Sequence, residues 1–360
     1  INSKGVNMKK ELLMASALVG TMGVASVAEA VTATFSGNHR VGVEFDSPSA
    51  STDTNAVIEQ SSFSVALTET TDAGTTISSS FMLANESDGL SNATSLTLTF
   101  TDGTKLDIFN AGNAAAGHDI SVPGSAGEEG VTVTTTNNAP SGLDFQSGAT
   151  ELGVEWHSAA DFLADGLKLS ASFSGDTGAA ATATARIDGH WGIGATYVTD
   201  AGDTAVTIGA GVSQTEYSKT GTGLTSDEGG YHIGVSAVTG DLTIAVGFGD
   251  GDDVANKGAT ANGNASTQVD GEVLKAGIKY VTGDMTLQVG IVSGSAQDST
   301  TIGTAGTTED SYDKTSASVS YAVASGVTAI LGFSSVDSSD EGASDTTDGS
   351  AWYIGANMSF

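Results

Sequence analysis

Along much of the chain every second residue is apolar, and the residues between are small, polar or charged. Leu167, Leu169, Ala171 and Phe173 alternate with Lys168, Ser170 and Ser172. The same spacing returns in Leu242, Ile244, Val246 and Phe248, in Met285, Leu287, Val289 and Ile291, and in Val327, Ala329, Leu331 and Phe333. Period two gives a strand two chemically different faces. The segments run about ten residues, the length a tilted strand needs to cross a hydrocarbon layer. Their connectors alternate between short turns, such as Thr71 to Gly74, Thr239 to Asp241, Thr282 to Asp284 and Ser325-Gly326, and long polar, Gly-rich stretches such as 249–269 and 294–312.

The alternation predicts strands over 32–45, 57–70, 75–85, 93–101, 104–110, 149–158, 166–174, 189–199, 203–217, 230–239, 241–248, 270–281, 284–293, 313–323, 326–336 and 350–360, sixteen in all. Residues 179–187 alternate weakly, and a loop there preserves the short-long rhythm. An unpaired backbone N–H or C=O in lipid costs several kcal/mol, so strands that cross a membrane must close on themselves. The expected fold is an all-β, transmembrane antiparallel barrel of about 16 strands, with short periplasmic turns and long extracellular loops. It uses one domain, 31–360.

The start of the chain reads as an export signal. Met8, Lys9 and Lys10 precede the apolar run Leu12 to Val19, and Ala28-Glu29-Ala30 supplies a small-residue cleavage site. Residues 8–30 are the expected signal peptide and 1–7 an upstream extension. The apolar run is shorter than the roughly 20 residues of a membrane-spanning helix. Cysteine is absent, so neither disulfides nor thiolate metal sites arise.

Formal charge is −31, and without residues 1–30 the balance is 9 basic against 41 acidic side chains. Such acidity excludes nucleic acid, whose binding needs Lys and Arg on phosphates, and favours cations as small partners. Acidity with few aromatics also marks disorder, but 39% hydrophobic residues in a regular pattern oppose that reading.

The last strand carries apolar side chains at every second position back from a terminal Phe: Trp352, Ile354, Met358 and Phe360 fall on that register or beside it. It resembles the C-terminal signature of outer-membrane barrels that the barrel-assembly machinery recognises. The opening strand, Val31 to Phe45, and the block Ser62 to Asn113 resemble Gram-negative porins of the alphaproteobacterial, 16-stranded trimeric type. That resemblance implies a passive water-filled channel in the bacterial outer membrane, a homotrimer embedded in lipid and lipopolysaccharide, no cofactor, and a third loop folded into the lumen. Residues 111–148, the longest connector, are the candidate constriction loop, although they lack the Pro-Glu-Phe-Gly type of motif.

Alternation assigns lumen residues. Arg40 and Glu44 fall between Val41, Val43 and Phe45; Lys105 and Asp107 lie between Leu106 and Ile108; Lys168 lies between Leu167 and Leu169. These charges facing a loop with Asp119, Glu128, Glu129 and Asp144 resemble the transverse field of a porin constriction. They read equally as ordinary solvated lumen residues.

Acidic clusters at Asp250, Asp252 and Asp253, at Asp337 to Glu341 and at Asp345 to Asp348 are expected in outer loops. There their carboxylates suit Ca²⁺ or Mg²⁺ bridging lipopolysaccharide, or form a solvated surface. Asp250-Gly251-Asp252 lacks the downstream Glu of an EF-hand.

His39, His118, His157, His190 and His232 have no zinc spacing, and each is expected at a surface or interface. No serine-hydrolase elbow or phosphate loop occurs, and no Ser-His-Asp trio is singled out by spacing. Gly192, Gly194, Gly209 and Gly211 read as strand glycines that admit close neighbours. The function expected is a channel for ions and small hydrophilic solutes with a mild cation preference, not an enzyme. The alternatives are a substrate-specific porin or a secreted acidic β-rich adhesin; the second requires a constant repeat that the chain does not show.

Overall fold

The computed structural model describes residues 31–48, 53–84, 90–91, 96–109, 112–124, 153–175, 185–219, 224–252, 270–298, 308–339 and 346–360. The expected signal peptide and upstream extension lie outside them. None of the described residues forms a helix long and apolar enough to cross a membrane.

Alternation becomes one antiparallel sheet. The strands are β1 (Thr32–Pro48), β2 (Thr54–Thr70), β3 (Thr76–Ala84), β4 in two pieces (Leu90–Ser91 and Leu96–Thr99) that both pair with β3, β5 (Lys105–Ile108), β6 (Gly153–His157), β7 (Leu167–Ser174) and β8 (Ala185–Ala201). They continue with β9 (Thr204–Lys219), β10 (Leu224–Thr239), β11 (Leu242–Asp252), β12 (Asp270–Thr282), β13 (Met285–Asp298), β14 (Thr308–Ala324), β15 (Val327–Ser339) and β16 (Thr346–Ser359). Each pairs with its neighbours in sequence, and β1 also pairs with β16, from Asn38 opposite Ser359 to Pro48 opposite Gly349. That seam closes a 16-strand barrel with no free edge.

Tight turns join one end of the hairpins. Thr239 pairs directly with Leu242 and Thr282 with Met285. The two-residue turns between them begin with Gly240 and Gly283 at φ 56° and 57°, a left-handed conformation that a side chain disfavours.

The barrel is apolar outside. Ile233, Val246, Leu274, Ile278, Val289, Ile291, Leu331 and Ile354 are exposed on the outer face. Aromatic rings flank this belt. Tyr197, Tyr280 and Tyr321 lie toward the turn end, while Phe173, Trp191, Phe333 and Trp352 lie toward the loop end, where the Phe333 and Trp352 rings sit 4.5 Å apart. Girdles of this kind mark the two membrane interfaces of a spanning barrel.

Sixteen strands match the sixteen expected, but several are longer. Gly249–Asp252, Gly294–Asp298 and Thr308–Tyr312 extend strands into stretches read as loop. Asp250, Asp337 and Asp348 therefore sit on strand ends and not in loops, with Asp337 opposite Asp348. Residues 185–187, assigned to a loop, head β8 and pair with β9 across a bulge at Glu216/Tyr217. Beyond the lipid a ladder needs only backbone pairing, so apolar alternation stops before the strand does.

Candidate pore constriction

Residues 112–124, at the start of the long β5–β6 connector, lie inside the barrel against its wall. The Gly112 amide donates to Glu155 Oε2 on β6 at 3.1 Å, and the Ala114 amide donates to Ser172 Oγ on β7 at 2.9 Å. Asn113 Nδ2 donates to Ser213 Oγ on β9 at 3.2 Å. His232 Nε2 on β10 donates to the Ala115 carbonyl at 2.9 Å, and its Nδ1 lies 2.6 Å from Asp119 Oδ1. Further along, Ile120 and Val122 pack on Ala245 of β11.

Glycines make room for this path. A Cβ on Gly192 or Gly194 would strike Asn113, Ala114 or His118; one on Gly209 would strike the His118 carbonyl; one on Gly211 would come within 2.8 Å of Ala115 Cα. On Gly234 it would meet Ile120 at 2.7 Å, and on Gly277 and Gly290 it would strike the Pro123 carbonyl. The reading of Gly192, Gly194, Gly209 and Gly211 as sites of close approach therefore acquires its neighbour: the inward loop. Their alignment in register, Gly194 with Gly211 and Gly209 with Gly234, makes a flat track across the wall.

His118 sits at the turn of the loop, buried. Its Nδ1 lies 2.6 Å from Thr196 Oγ1 and its Nε2 lies 2.9 Å from Ser170 Oγ. Burial holds its pKa below the ordinary 6.5; His157, His232 and Lys168 add to the effect and Asp119 opposes it. The docked ring thus binds fewer protons than a released one. Docking strengthens as pH rises through the ordinary value and weakens as pH falls below it. Open-channel current noise should increase on acidification from about pH 8 to about pH 5, and less so in His118→Gln. Equal increases in both proteins would exclude this histidine as the cause.

Arg40 and Glu44 face inward on β1, Lys105 and Asp107 on β5, and Lys168 on β7. The structure gathers only some of them. Lys105, Asp107 and Lys168 line one cavity of about 530 Å³ with His118, His157 and Ser170, whereas Arg40 stacks over the Tyr353 ring at 4.4 Å on the β1/β16 seam. Asp119 lies on the described part of the loop; Glu128, Glu129 and Asp144 lie outside the described residues, as does Asp253, and of Asp252 only the backbone is described.

Sequence reasoning missed several inward groups. Lys275 and Lys279 on β12 and Lys314 on β14 share the inner face, with Lys275 and Lys314 both paired to Val292. Period two identifies Lys275 and Lys279, which fall between the apolar pairs Leu274 and Ala276 and Ile278 and Tyr280; Lys314 stands between Asp313 and Thr315, where the alternation gives no such signal. Three histidines expected at a surface or interface are buried inside the barrel: His118, His190 with Nδ1 2.9 Å from Thr215 Oγ1, and His232. A serine, a histidine and an aspartate do meet. Ser170 Oγ lies 2.9 Å from His157 Nδ1, and His157 Nε2 lies 2.9 Å from Asp107 Oδ2. Ser170 is buried under the loop and is also bonded to His118.

The profile of the Gram-negative porin family matches residues 15–297. No curated protein matches the sequence. Among solved structures, the in-vitro folded trimer form of OmpT, an outer membrane protein of Vibrio cholerae, aligns with TM-score 0.60 at 15% identity, covering 92% of this chain and 100% of that one. The anion-selective porin from Comamonas acidovorans aligns with TM-score 0.60 at 10% identity, over 92% and 100%. The outer membrane channel DcaP of Acinetobacter baumannii aligns with TM-score 0.61 at 11% identity, over 94% and 100%. At these identities the likeness is one of fold. The family match over most of the chain, on a closed barrel with an apolar outer belt and a loop inside, identifies this chain as a member of the Gram-negative porin family, residing in the outer membrane.

Proposed function

We propose that the chain forms a passive, water-filled channel for ions and small hydrophilic solutes, without catalysis. The observation that carries this reading is the segment 112–124 seated along the inner wall of a closed barrel, which narrows the lumen. Size limit and ion preference then follow from the lumen left beside the loop and from the charges facing it. Planar-bilayer recordings should show stepwise conductance. No conductance from protein shown to be folded overturns the proposal.

A mild cation preference accompanies this reading, because acids outnumber bases strongly over the chain. The inward bases Arg40, Lys105, Lys168, Lys275, Lys279 and Lys314 temper it. Arg40→Ala should move the zero-current potential under a salt gradient toward stronger cation preference by several millivolts; an unchanged potential removes Arg40 from the constriction. Arg40, Glu44, Lys105, Asp107, Lys168 and Asp119 are the residues assigned to that field.

Homotrimerisation is part of the proposal, supported by the trimer form of the Vibrio cholerae structure, and triplet closures in the recordings would report it. Trp352, Ile354 and Met358 on β16, and Phe360 just past its end, are exposed, as an assembly signal read from outside the sheet requires. Carboxylates at the outer rim, Asp337 opposite Asp348 and Asp250 opposite Glu272, are assigned to divalent cations at the lipopolysaccharide surface.

A further inference from the structure

On the inner wall, Asp107 of β5 pairs in register with Glu155 of β6, and His157 lies two residues on along the same face. One ligand atom from each, Asp107, Glu155 and His157, lies within 4.8 Å of the others. His157 Nε2 is 2.9 Å from Asp107 Oδ2 and 3.7 Å from Glu155 Oε1. Zinc–ligand bonds of roughly 2.0–2.1 Å place tetrahedral ligand atoms about 3.3 Å apart. The two distances bracket that spacing and the third pair, Asp107 with Glu155, lies within 4.8 Å, so an ion enters the centre with small side-chain adjustments.

The surroundings also fit. Glu155 is 7% exposed, and while its Oε2 accepts the Gly112 amide, its Oε1 is aimed at His157 Nε2 beyond hydrogen-bond reach. The His157 ring is oriented by its other nitrogen, Nδ1, on Ser170 Oγ at 2.9 Å. A ligating histidine is normally held through its second nitrogen in this way. Asp107 Oδ1 is held in turn by the Thr97 hydroxyl. Asp107 and His157 border the 530 Å³ cavity, which gives an ion a path in. Two carboxylates and a neutral imidazole balance a dication, and the nitrogen ligand selects a transition metal over Ca²⁺ or Mg²⁺, which take oxygen. Lys105 and Lys168 border the same cavity and weaken the site without blocking it.

We propose that Asp107, Glu155 and His157 bind a first-row transition-metal dication of the Zn²⁺ type inside the barrel, and that the bound ion fixes the root of the inward loop. Two links transmit the effect. Metal on His157 Nε2 leaves the ring proton on Nδ1, which donates to Ser170 Oγ. The Ser170 hydroxyl then donates to His118 Nε2, and His118 Nδ1 donates to Thr196, so the loop histidine is held in one tautomer. Meanwhile Glu155 Oε1 ligates the ion and Oε2 keeps the Gly112 amide. In the absence of metal, His157 Nε2 donates to Asp107 Oδ2 at 2.9 Å.

The test is calorimetric titration of the folded full chain with Zn²⁺, beside His157→Gln and Glu155→Gln. The wild type should show one tight event above the weak background of the acidic rim, weakened about tenfold or more in each variant. Co²⁺ should give visible absorption bands with the wild type that both variants lack. Identical isotherms for all three proteins overturn the site. The fixing of the loop is read separately: Zn²⁺ should slow hydrogen exchange at the Gly112 and Ala114 amides of the wild type, and unchanged exchange overturns that half. Neither measurement uses conductance, so a failure here is distinct from a failure of the channel reading.

Discussion

Gly277→Val is expected to raise single-channel conductance by about twofold while leaving the barrel folded, because it displaces the inward loop from its seat, and a loop that leaves the lumen no longer narrows it. The side chain of β12 would occupy the place of the Pro123 carbonyl, which rests on the bare Gly277 backbone between Lys275 and Lys279. Overpacking of this kind costs about 1–3 kcal/mol. The loop segment can relieve that strain by leaving; the strand, bonded on both sides, cannot. Gly229→Val serves as the control, since a Cβ there meets nothing nearer than the Ser213 carbonyl at 3.9 Å. Equal conductance in wild type and Gly277→Val, with heat-modifiable migration showing both folded, would refute the glycine track as the seat of the loop.

Tyr353→Ala should cost about 3 kcal/mol of stability, read as a shift in the urea midpoint for unfolding from lipid vesicles. The ring is 0% exposed and lies across the seam where β16 meets β1. It covers Gly42 and Gly355, which pair with each other and have no side chains of their own to pack. It also packs with Val336 and Ala351, supports the Arg40 guanidinium, and donates its hydroxyl to the Val41 carbonyl at 3.2 Å. Tyr353→Phe removes only that last bond and should cost about 1 kcal/mol. If the Phe and Ala variants unfold at the same midpoint, the ring is not the wedge that closes the seam.

Period two carried nearly all of the architecture, for a physical reason. A residue facing lipid must be apolar and its neighbours face water, so Leu242 to Phe248 state both their conformation and their orientation. The pattern fails where the environment stops being two-sided. Above the membrane both faces of β13 and β14 meet water, and strand residues such as Gly294 and Ser311 look like loop. Inside the barrel the failure is different. Gly209 reads from sequence as a strand glycine open to a close neighbour and Gly277 does not stand out, but for both the neighbour itself, a loop distant in sequence, is not written in the local pattern. The histidines show the same limit. His118 and His157 stand far apart along the chain and share Ser170 only because a loop folds back over its own strands. Arg40, Lys105 and Lys168 were legible as inward, but their separation around the circumference depends on pairing.

The manner in which the loop is seated separates two properties of the channel. Apart from the contact of Asp119 with His232 and the Gly112 amide on the Glu155 carboxylate, it is held by neutral hydrogen bonds and by backbone lying on backbone, forces that dissolved ions leave almost untouched. Under the proposed channel reading, any preference between cations and anions acts through the lumen water, where the screening length is about 8 Å at physiological ionic strength and about 3 Å in 1 M salt. Aperture is therefore set by shape and persists from dilute to concentrated media, while discrimination by charge fades as the medium grows saltier.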